Sequence, residues 1–305
     1  MKNYLSINSL IPSFNKVLNI PGDKSLSIRW VLLASQAIGK SKAYNLLESE
    51  DVISAIISMR KLGVEILKRR GCYEINGVGL SGFRHKNNVS LDAGNSGTFA
   101  RLLCGTLAGN ITNVKVTGDS SLSKRDFSRV VKPLKLFGIS IKTNKNKLPI
   151  VIKGSKFLRP IFYKEEKGSA QVKSAILLAS LNTPGQTIVK SKISRDHTEL
   201  MFKNCLKIPL KLKKYKNHEI IKVHGKTNYK GFNYNIPGDI SSAAFFIALT
   251  VLANKSRLRM KNVNYNKSRI GIIEILKKMK AKIKITNIKN YKGEKVADIS
   301  VTSSK

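Results

Sequence analysis

The sequence predicts an α/β protein in which one supersecondary unit is used repeatedly. Three observations carry this reading. Apolar stretches of helical periodicity alternate with short β-branched runs along the chain. The hexapeptide Ile20-Pro-Gly-Asp-Lys-Ser25 recurs as Ile236-Pro-Gly-Asp-Ile-Ser241, and each copy runs into an apolar helix. Looser copies of the same order of parts (small polar residues, helix, Gly or Asn turn, strand, amphipathic helix, closing strand) bring the number of units to four.

Taken in order, the first unit covers 25–67, with helices over 26–38 and 51–62 and a closing strand at Leu62-Gly-Val-Glu-Ile66. The second covers 95–141, with a helix over 98–108, a strand over 113–117 and a close at Leu136-Phe-Gly-Ile-Ser-Ile141. The third covers 169–212, with a helix over 170–181, a strand over 186–189 and a helix over 197–206. The fourth covers 241–285. In both hexapeptides Pro-Gly supplies a turn, and Asp and Ser supply N-capping oxygens for the following helix. The duplicated turns mark hinge points. They delimit a complete three-unit domain over 23–236 and a second domain of 1–22 plus 237–305, in which one unit is present and the remainder is expected to be missing.

The 305 residues include 56 basic and 18 acidic side chains, a net charge of +38 that points to anionic partners. Lys outnumbers Arg 43 to 13 and is scattered through runs such as Lys211-Leu-Lys-Lys-Tyr-Lys216. Recognition of phosphate and base edges favours the planar fork of Arg, so the excess reads as Lys-rich usage on solvated faces, with nucleic acid bound only non-specifically. Apolar runs such as 243–253 are too short for a bilayer, and the N-terminus has no secretion signal. A cytoplasmic protein without membrane partners is expected. Cys72, Cys104 and Cys205 are far apart and the four His form no His-x-x-x-His pair, so neither a disulfide framework nor a metal site is expected.

Comparing the hexapeptides separates scaffold from chemistry. Lys24 and Arg29 occur only in the first copy; Ile240 and Phe245 stand at the same offsets in the second. A cation at a helix start opposes the macrodipole, so a ligand explains Lys24 better than local stability does. The second unit opens with Leu91-Asp-Ala-Gly-Asn-Ser-Gly-Thr-Phe-Ala-Arg101, a loop entering a helix whose free N–H groups suit an anion, or a plain N-cap at Asn95, Ser96 or Thr98. The third opens with Gly168-Ser-Ala-Gln-Val-Lys-Ser174, where Ser169 is an anion ligand or a simple cap. Symmetric packing of the repeats would bring the three helix starts to one cleft. Arg125 and Arg195 lie where they could clamp anions there, or form surface pairs with Asp126 and Asp196. His197 reads as a capping or hydrogen-bonding group.

Together these residues resemble the 5-enolpyruvylshikimate-3-phosphate synthase family over almost the whole chain. Pro21-Gly-Asp-Lys-Ser-Leu-Ser-Ile-Arg29 is similar to the family's first substrate motif and Asp92-Ala-Gly-Asn-Ser-Gly-Thr98 to its phosphoenolpyruvate loop. Thr117-Gly-Asp-Ser-Ser-Leu-Ser-Lys-Arg125, Ser169-Ala-Gln171 with Leu181-Asn-Thr-Pro-Gly185, Arg195-Asp-His-Thr-Glu199 and Pro237-Gly-Asp239 follow in family order. The resemblance implies a two-domain enolpyruvyl-transferase fold of βαβαββ units, six in a whole protein. The implied reaction adds the 5-hydroxyl of shikimate 3-phosphate to the enol carbon of phosphoenolpyruvate and then expels phosphate, a step toward chorismate and aromatic amino acids. No metal or organic cofactor is implied, and a complete chain would be a monomer.

By the same resemblance, Lys24 contacts both substrates and transfers a proton, while Ser25, Arg29, Ser169, Ala170 (through its backbone), Gln171 and Arg195 hold shikimate 3-phosphate. Asn95, Gly97, Arg125, Gln171 and Lys24 line the phosphoenolpyruvate side. Asp126 stands where the family has Pro, and its charge is expected to weaken anion binding. Gly97 is the small residue of glyphosate-sensitive members, so sensitivity is expected. The family's catalytic Asp and its Lys-Glu-Ser-Asp-Arg segment have no counterpart here, which reads as a C-terminal truncation whose open second domain exposes apolar surface.

Three other readings compete. The UDP-N-acetylglucosamine enolpyruvyl transferases have Asn after the motif lysine and a reactive loop Cys, against Ser25 and the helical Cys104 here. A basic nucleic-acid-binding protein related to RNA 3′-terminal phosphate cyclases would need an aromatic stacking motif that this sequence lacks. The third is an inactive fragment of the synthase.

Overall fold

The computed structural model describes residues 11–304. It divides into two compact units, one made of the segments up to Pro21 and from Pro237 onward, the other of Gly22–Ile236. Strand β1 (Asn15–Leu18) belongs to the first.

Three repeats follow in the second unit. The first contains α1 (Lys24–Ser35), β2 (Ile38–Tyr44), α2 (Glu50–Lys61) and the hairpin of β3 (Glu65–Arg69) and β4 (Cys72–Val78). The next contains β5 (Val89–Asp92), α3 (Gly97–Thr106), β6 (Val114–Thr117), the single turn α4 (Ser120–Ser123), α5 (Ser128–Leu136), β7 (Ser140–Asn144) and β8 (Lys147–Lys153). The last contains β9 (Phe162–Glu165), α6 (Ala170–Leu181), β10 (Gln186–Lys192), α7 (His197–Asn204), β11 (Leu210–Lys214) and β12 (His218–His224). After the two-residue strand β13 (Tyr234–Asn235), the chain returns to the other unit with α8 (Ile240–Leu252), β14 (Arg257–Asn264), α9 (Gly271–Lys278), β15 (Lys282–Tyr291) and β16 (Glu294–Thr302).

Four four-stranded sheets share one plan: a leading strand parallel to a second, which pairs antiparallel with the fourth, and the third at the far edge. Two leading strands are exchanged. β1 immediately precedes α1 in sequence but pairs in parallel with β14, whereas β13 immediately precedes α8 but pairs in parallel with β2. Each Ile-Pro-Gly-Asp copy thus follows an exchanged strand, which is why the motif occurs twice. Close approach fixes the glycine at the first copy: a Cβ on Gly22 would lie 2.0 Å from the Asn45 carbonyl oxygen.

Several predicted boundaries move, for physical reasons. α1 starts at Lys24 because Asp23 caps it, accepting from Leu26 N at 3.0 Å, and it stops before Ile38, which opens β2 against β4. α3 ends at Thr106 in a 3₁₀ turn over Leu107–Gly109. Each repeat closes on a hairpin and not on one short strand. The second hairpin strands β4, β8 and β12 alternate buried and exposed residues like their partners, but their ends are marked only by turns, such as that with positive φ at Lys145 and Asn146. The lysine run 211–216 falls largely in the edge strand β11, where charged side chains discourage further pairing.

The core explains why helices α1, α3 and α6 are apolar nearly all round. α3 packs along α6 and also meets α1, and α6 buries every residue from Val172 to Leu181. Gly105 permits the contact, since a Cβ there would lie 2.1 Å from the Ala175 carbonyl oxygen. Beside it, Cys104 is fully buried, and burial pushes its thiol up to about 12, leaving it inert. In the other unit, α8 buries Ile240, Ala243, Ile247 and Thr250 against its sheet, whereas Phe245 and Leu252 are 80% and 84% exposed. No helix among the described residues is long and apolar enough to cross a membrane.

Candidate functional site

All the residues selected from the sequence as ligands lie in the Gly22–Ile236 unit; Arg29 is in the middle of α1, and the others are at the starts of helices or in the segments before them. Lys24 is the first residue of α1, and its Nζ stands 3.5 Å from Asp51 Oδ2 on α2. The Asp51 carboxylate is a local partner that partly offsets the unfavourable helix-start position, beside the ligand role inferred for Lys24 from the sequence. Ser54, one turn beyond Asp51 on α2, has its Oγ 3.2 Å from where a Gly94 Cβ would be. The same face of α2 therefore faces both the lysine and the loop before α3.

Arg29 is almost wholly buried. Its Nε donates to Thr198 Oγ1 and its Nη2 to Ser174 Oγ, each at 2.8 Å, while Nη1 donates to the Ser25 carbonyl at 2.9 Å. The guanidinium thus ties α1 to α6 and α7.

Around α3 the geometry gathers cations. Ser96 caps the helix, accepting from Phe99 N at 3.3 Å, so of the three residues considered for that role the hydroxyl of Ser96 takes it. Asn95 is left to face the next loop: its Nδ2 donates to Asp119 Oδ2 at 2.7 Å and its Oδ1 accepts from Arg125 Nη2 at 3.2 Å. Asp119 also caps α4, accepting from Leu122 N at 2.7 Å, and the Asn95 amide followed by this N–H holds its carboxyl below the usual carboxylate range.

Arg101 completes the cluster. Its Nη1 donates to the Gly97 carbonyl at 3.1 Å, its Nη2 to the Asp126 carbonyl at 3.2 Å, and its guanidinium stands 4.7 Å over the Phe127 ring. Burial first, and then the charges of Arg125 and Arg129, push its pKa below the ordinary guanidinium value. A Cβ on Gly97 would lie 2.7 Å from Arg101 Nη1 and 3.1 Å from Arg125 Nη1. Two guanidinium groups therefore converge on one glycine, an arrangement that an anion would relieve. The Asp126 carboxylate turns away to Ser128, accepting from its N at 2.9 Å and its Oγ at 2.5 Å.

The α6 start joins this cluster. Ser169 is the N-cap, its Oγ accepting from Val172 N at 3.4 Å, and Glu165 accepts from Lys167 N and Ser169 N. Ala170 opens the helix, and Gln171 Nε2 donates to Thr98 Oγ1 at 2.9 Å. Arg195 is exposed in the turn before α7; the carboxylate of neighbouring Asp196 pairs with Lys214 at 3.1 Å. His197, the first residue of α7, is buried.

The sequence reading gave no role to Asp51, Arg101 or Asp119, and considered Thr98 only as a helix cap, not as the partner of Gln171. Arg101 carried a usable signal, being one helical turn beyond Gly97. The partnership of Asp119 with Asn95 depends on the packing of two loops and had none. Among the described residues, no group of three or more His, Cys, Asp or Glu could hold a metal ion.

The EPSP synthase (3-phosphoshikimate 1-carboxyvinyltransferase) family matches residues 11–304. The chain belongs to this family. It is 41% identical over 291 residues to the 3-phosphoshikimate 1-carboxyvinyltransferase of Endomicrobium trichonymphae, covering 95% of this chain and 66% of that protein. It is 40% identical over 296 residues to the Zymomonas mobilis enzyme, covering 96% and 65%. The solved EPSP synthase of Acinetobacter baumannii superposes with a TM-score of 0.85 at 38% identity, over 96% of this chain and 65% of that one. The fold is thus that of the EPSP synthases, mixed α/β with four repeated sheets. The chain spans just under two thirds of the length of these relatives.

Proposed function

We propose that this chain binds shikimate 3-phosphate and phosphoenolpyruvate and acts in transfer of the enolpyruvyl group to the 5-hydroxyl of shikimate 3-phosphate, with release of phosphate. The convergence of Arg101 and Arg125 on Gly97 carries the reading. Two multiply charged anions repel each other, and preorganised cations and N–H dipoles offset that repulsion without reorganising during the reaction.

In this reading phosphoenolpyruvate lies against Asn95, Gly97, Arg125 and Gln171, the Asn95 amide being held by Asp119 and the Gln171 amide by Thr98. Shikimate 3-phosphate is held by Ser25, Arg29, Ser169, the Ala170 backbone, Gln171 and Arg195. Lys24 touches both and moves the proton. Its Asp51 partner keeps the ammonium oriented until a substrate carboxylate or phosphate competes for it. The addition step places the 5-oxygen on the enol carbon and a proton on the methylene; elimination reverses the proton and expels phosphate. The protein works in the cytoplasm, with these two small anions as its partners.

The test is calorimetric titration of each substrate into the purified chain, then phosphate release with both present, with Lys24→Ala in parallel. Binding of shikimate 3-phosphate by the wild-type chain, weakened in the variant, is expected. Absence of binding by either substrate would overturn the reading.

A further inference from the structure

Beneath the α6 start lies a charged group that the reaction does not use. Lys173 is completely buried, and its Nζ lies 2.6 Å from Glu199 Oε1 on α7 and 2.5 Å from Glu219 Oε1 on β12, both carboxylates being buried as well. Ser191 Oγ on β10 donates to Glu219 Oε1 at 3.3 Å. Burial works against the Lys173 ammonium, but the carboxylates outweigh it and hold it above its usual value, so the lysine is charged. One cation thus serves two carboxylates in a dry interior, which is costly compared with apolar packing of the same volume.

The location suggests what the charge does. Lys173 adjoins Ser174 and Glu199 adjoins Thr198. The hydroxyls of Ser174 and Thr198 lie 2.7 Å apart, and these two groups accept Arg29 Nη2 and Nε. Two parallel cross-links therefore run between α6 and α7, one ionic and one between hydroxyls, with Arg29 clipped to the second. Apolar contacts would hold the helices together but tolerate small sliding motions; a short ion pair fixes separation and register together.

We propose that Lys173, Glu199 and Glu219 are positioning residues that set the Ser174–Thr198 pair and through it the guanidinium of Arg29. The consequence for substrate rests on the reading above, in which Arg29 holds shikimate 3-phosphate. The positioning itself can be measured without ligand.

The experiment follows the Arg29 Nε–H by NMR, assigned with Arg29→Lys, in the wild-type chain, in Glu199→Leu, in Glu199→Gln and in Lys173→Met/Glu199→Leu/Glu219→Leu. The triple variant removes all three charges at once, so it folds even where a single deletion strands a buried charge. Hydrogen exchange at Arg29 at least tenfold faster in Glu199→Leu and in the triple variant, with recovery in Glu199→Gln, is expected. Unchanged exchange in the folded triple variant would overturn the proposal. Titration with shikimate 3-phosphate separates the two claims. If the wild type binds it, the triple variant is expected to bind at least tenfold more weakly, and equal affinity would overturn the proposal. If the wild type does not bind it, the functional reading fails while the exchange rates still decide the positioning.

Discussion

Gln171 donates to Thr98 across a sequence separation of 73 residues, Nε2 to Oγ1 at 2.9 Å, and so ties the first turns of α6 and α3 together. Replacing Gln171 by Ala removes one hydrogen bond, worth about 1 kcal/mol net. Thermal unfolding is expected to shift by a few degrees, on the order of 2–4 °C for a unit of this size. Affinity for phosphoenolpyruvate is expected to fall by more than tenfold, as the amide is also a ligand in the proposed site. Calorimetry on Gln171→Ala beside Thr98→Val checks this: equal losses in the two variants would assign the effect to the bond, not to direct contact.

Gly97→Ala places a methyl group 2.7 Å from Arg101 Nη1, the flexible end of a long side chain, so the fold survives while the guanidinium moves. Inhibition by glyphosate, expected for the glycine form, should weaken more than the affinity for phosphoenolpyruvate. Competition between the two, measured in both forms, checks it. An inhibitor that does not compete with phosphoenolpyruvate in the wild type would sink the expectation.

Acid should loosen the Asn95 loop. The Asp119 carboxyl is held low by the Asn95 amide and the Leu122 N–H, so its contribution is fully present above the unfolded-state value of about 3.9 and is lost as pH falls through the lower folded value. The Asn95 side-chain amide resonances are expected to be unchanged from pH 7 to 5 and to move at lower pH. Asp119→Asn should abolish that movement.

Gly105→Ala tests the α3–α6 contact. The added methyl would lie 2.1 Å from the Ala175 backbone oxygen, which cannot rotate away, so the helices must separate. A loss of about 1–3 kcal/mol or more in urea unfolding is expected, typical of an overpacked core. Wild-type stability in this variant would show that the contact is looser than described.

The exposed face of α8 should make the chain associate. Phe245 and Leu252 stand in solvent, and a patch of this kind favours burial against another surface. Replacing both by Ser is expected to lower the average mass measured by light scattering at a given concentration, without changing the binding of either substrate.

The repeated α/β architecture was legible because periodicity and turn chemistry are local. The apolar helix over 170–181 coincides with α6, and Asp23 and Asp239 cap the two helices that follow the duplicated motif. The ligand-type residues could also be selected from motifs alone, since Gly, Ser and Asn at helix starts announce free N–H groups wherever they occur. The second strand of each hairpin was less visible, because a short alternating run after a turn resembles a loop until a partner strand is present.

Sequence by itself determined the repeat, the helices with their caps, the fold family and the residue types offered to an anion, because each depends on neighbours within a few positions or on a motif in order. Only the tertiary structure decided the exchange of β1 and β13, the burial of Arg29 between α6 and α7, the pairing of Lys24 with Asp51, and the meeting of Arg101 with Arg125 at Gly97. These contacts join residues from different elements, and a chain's local preferences do not say which helix start will face which loop. That is settled when apolar helices such as α3 and α6 close on one another at Gly105 and carry their polar ends into place.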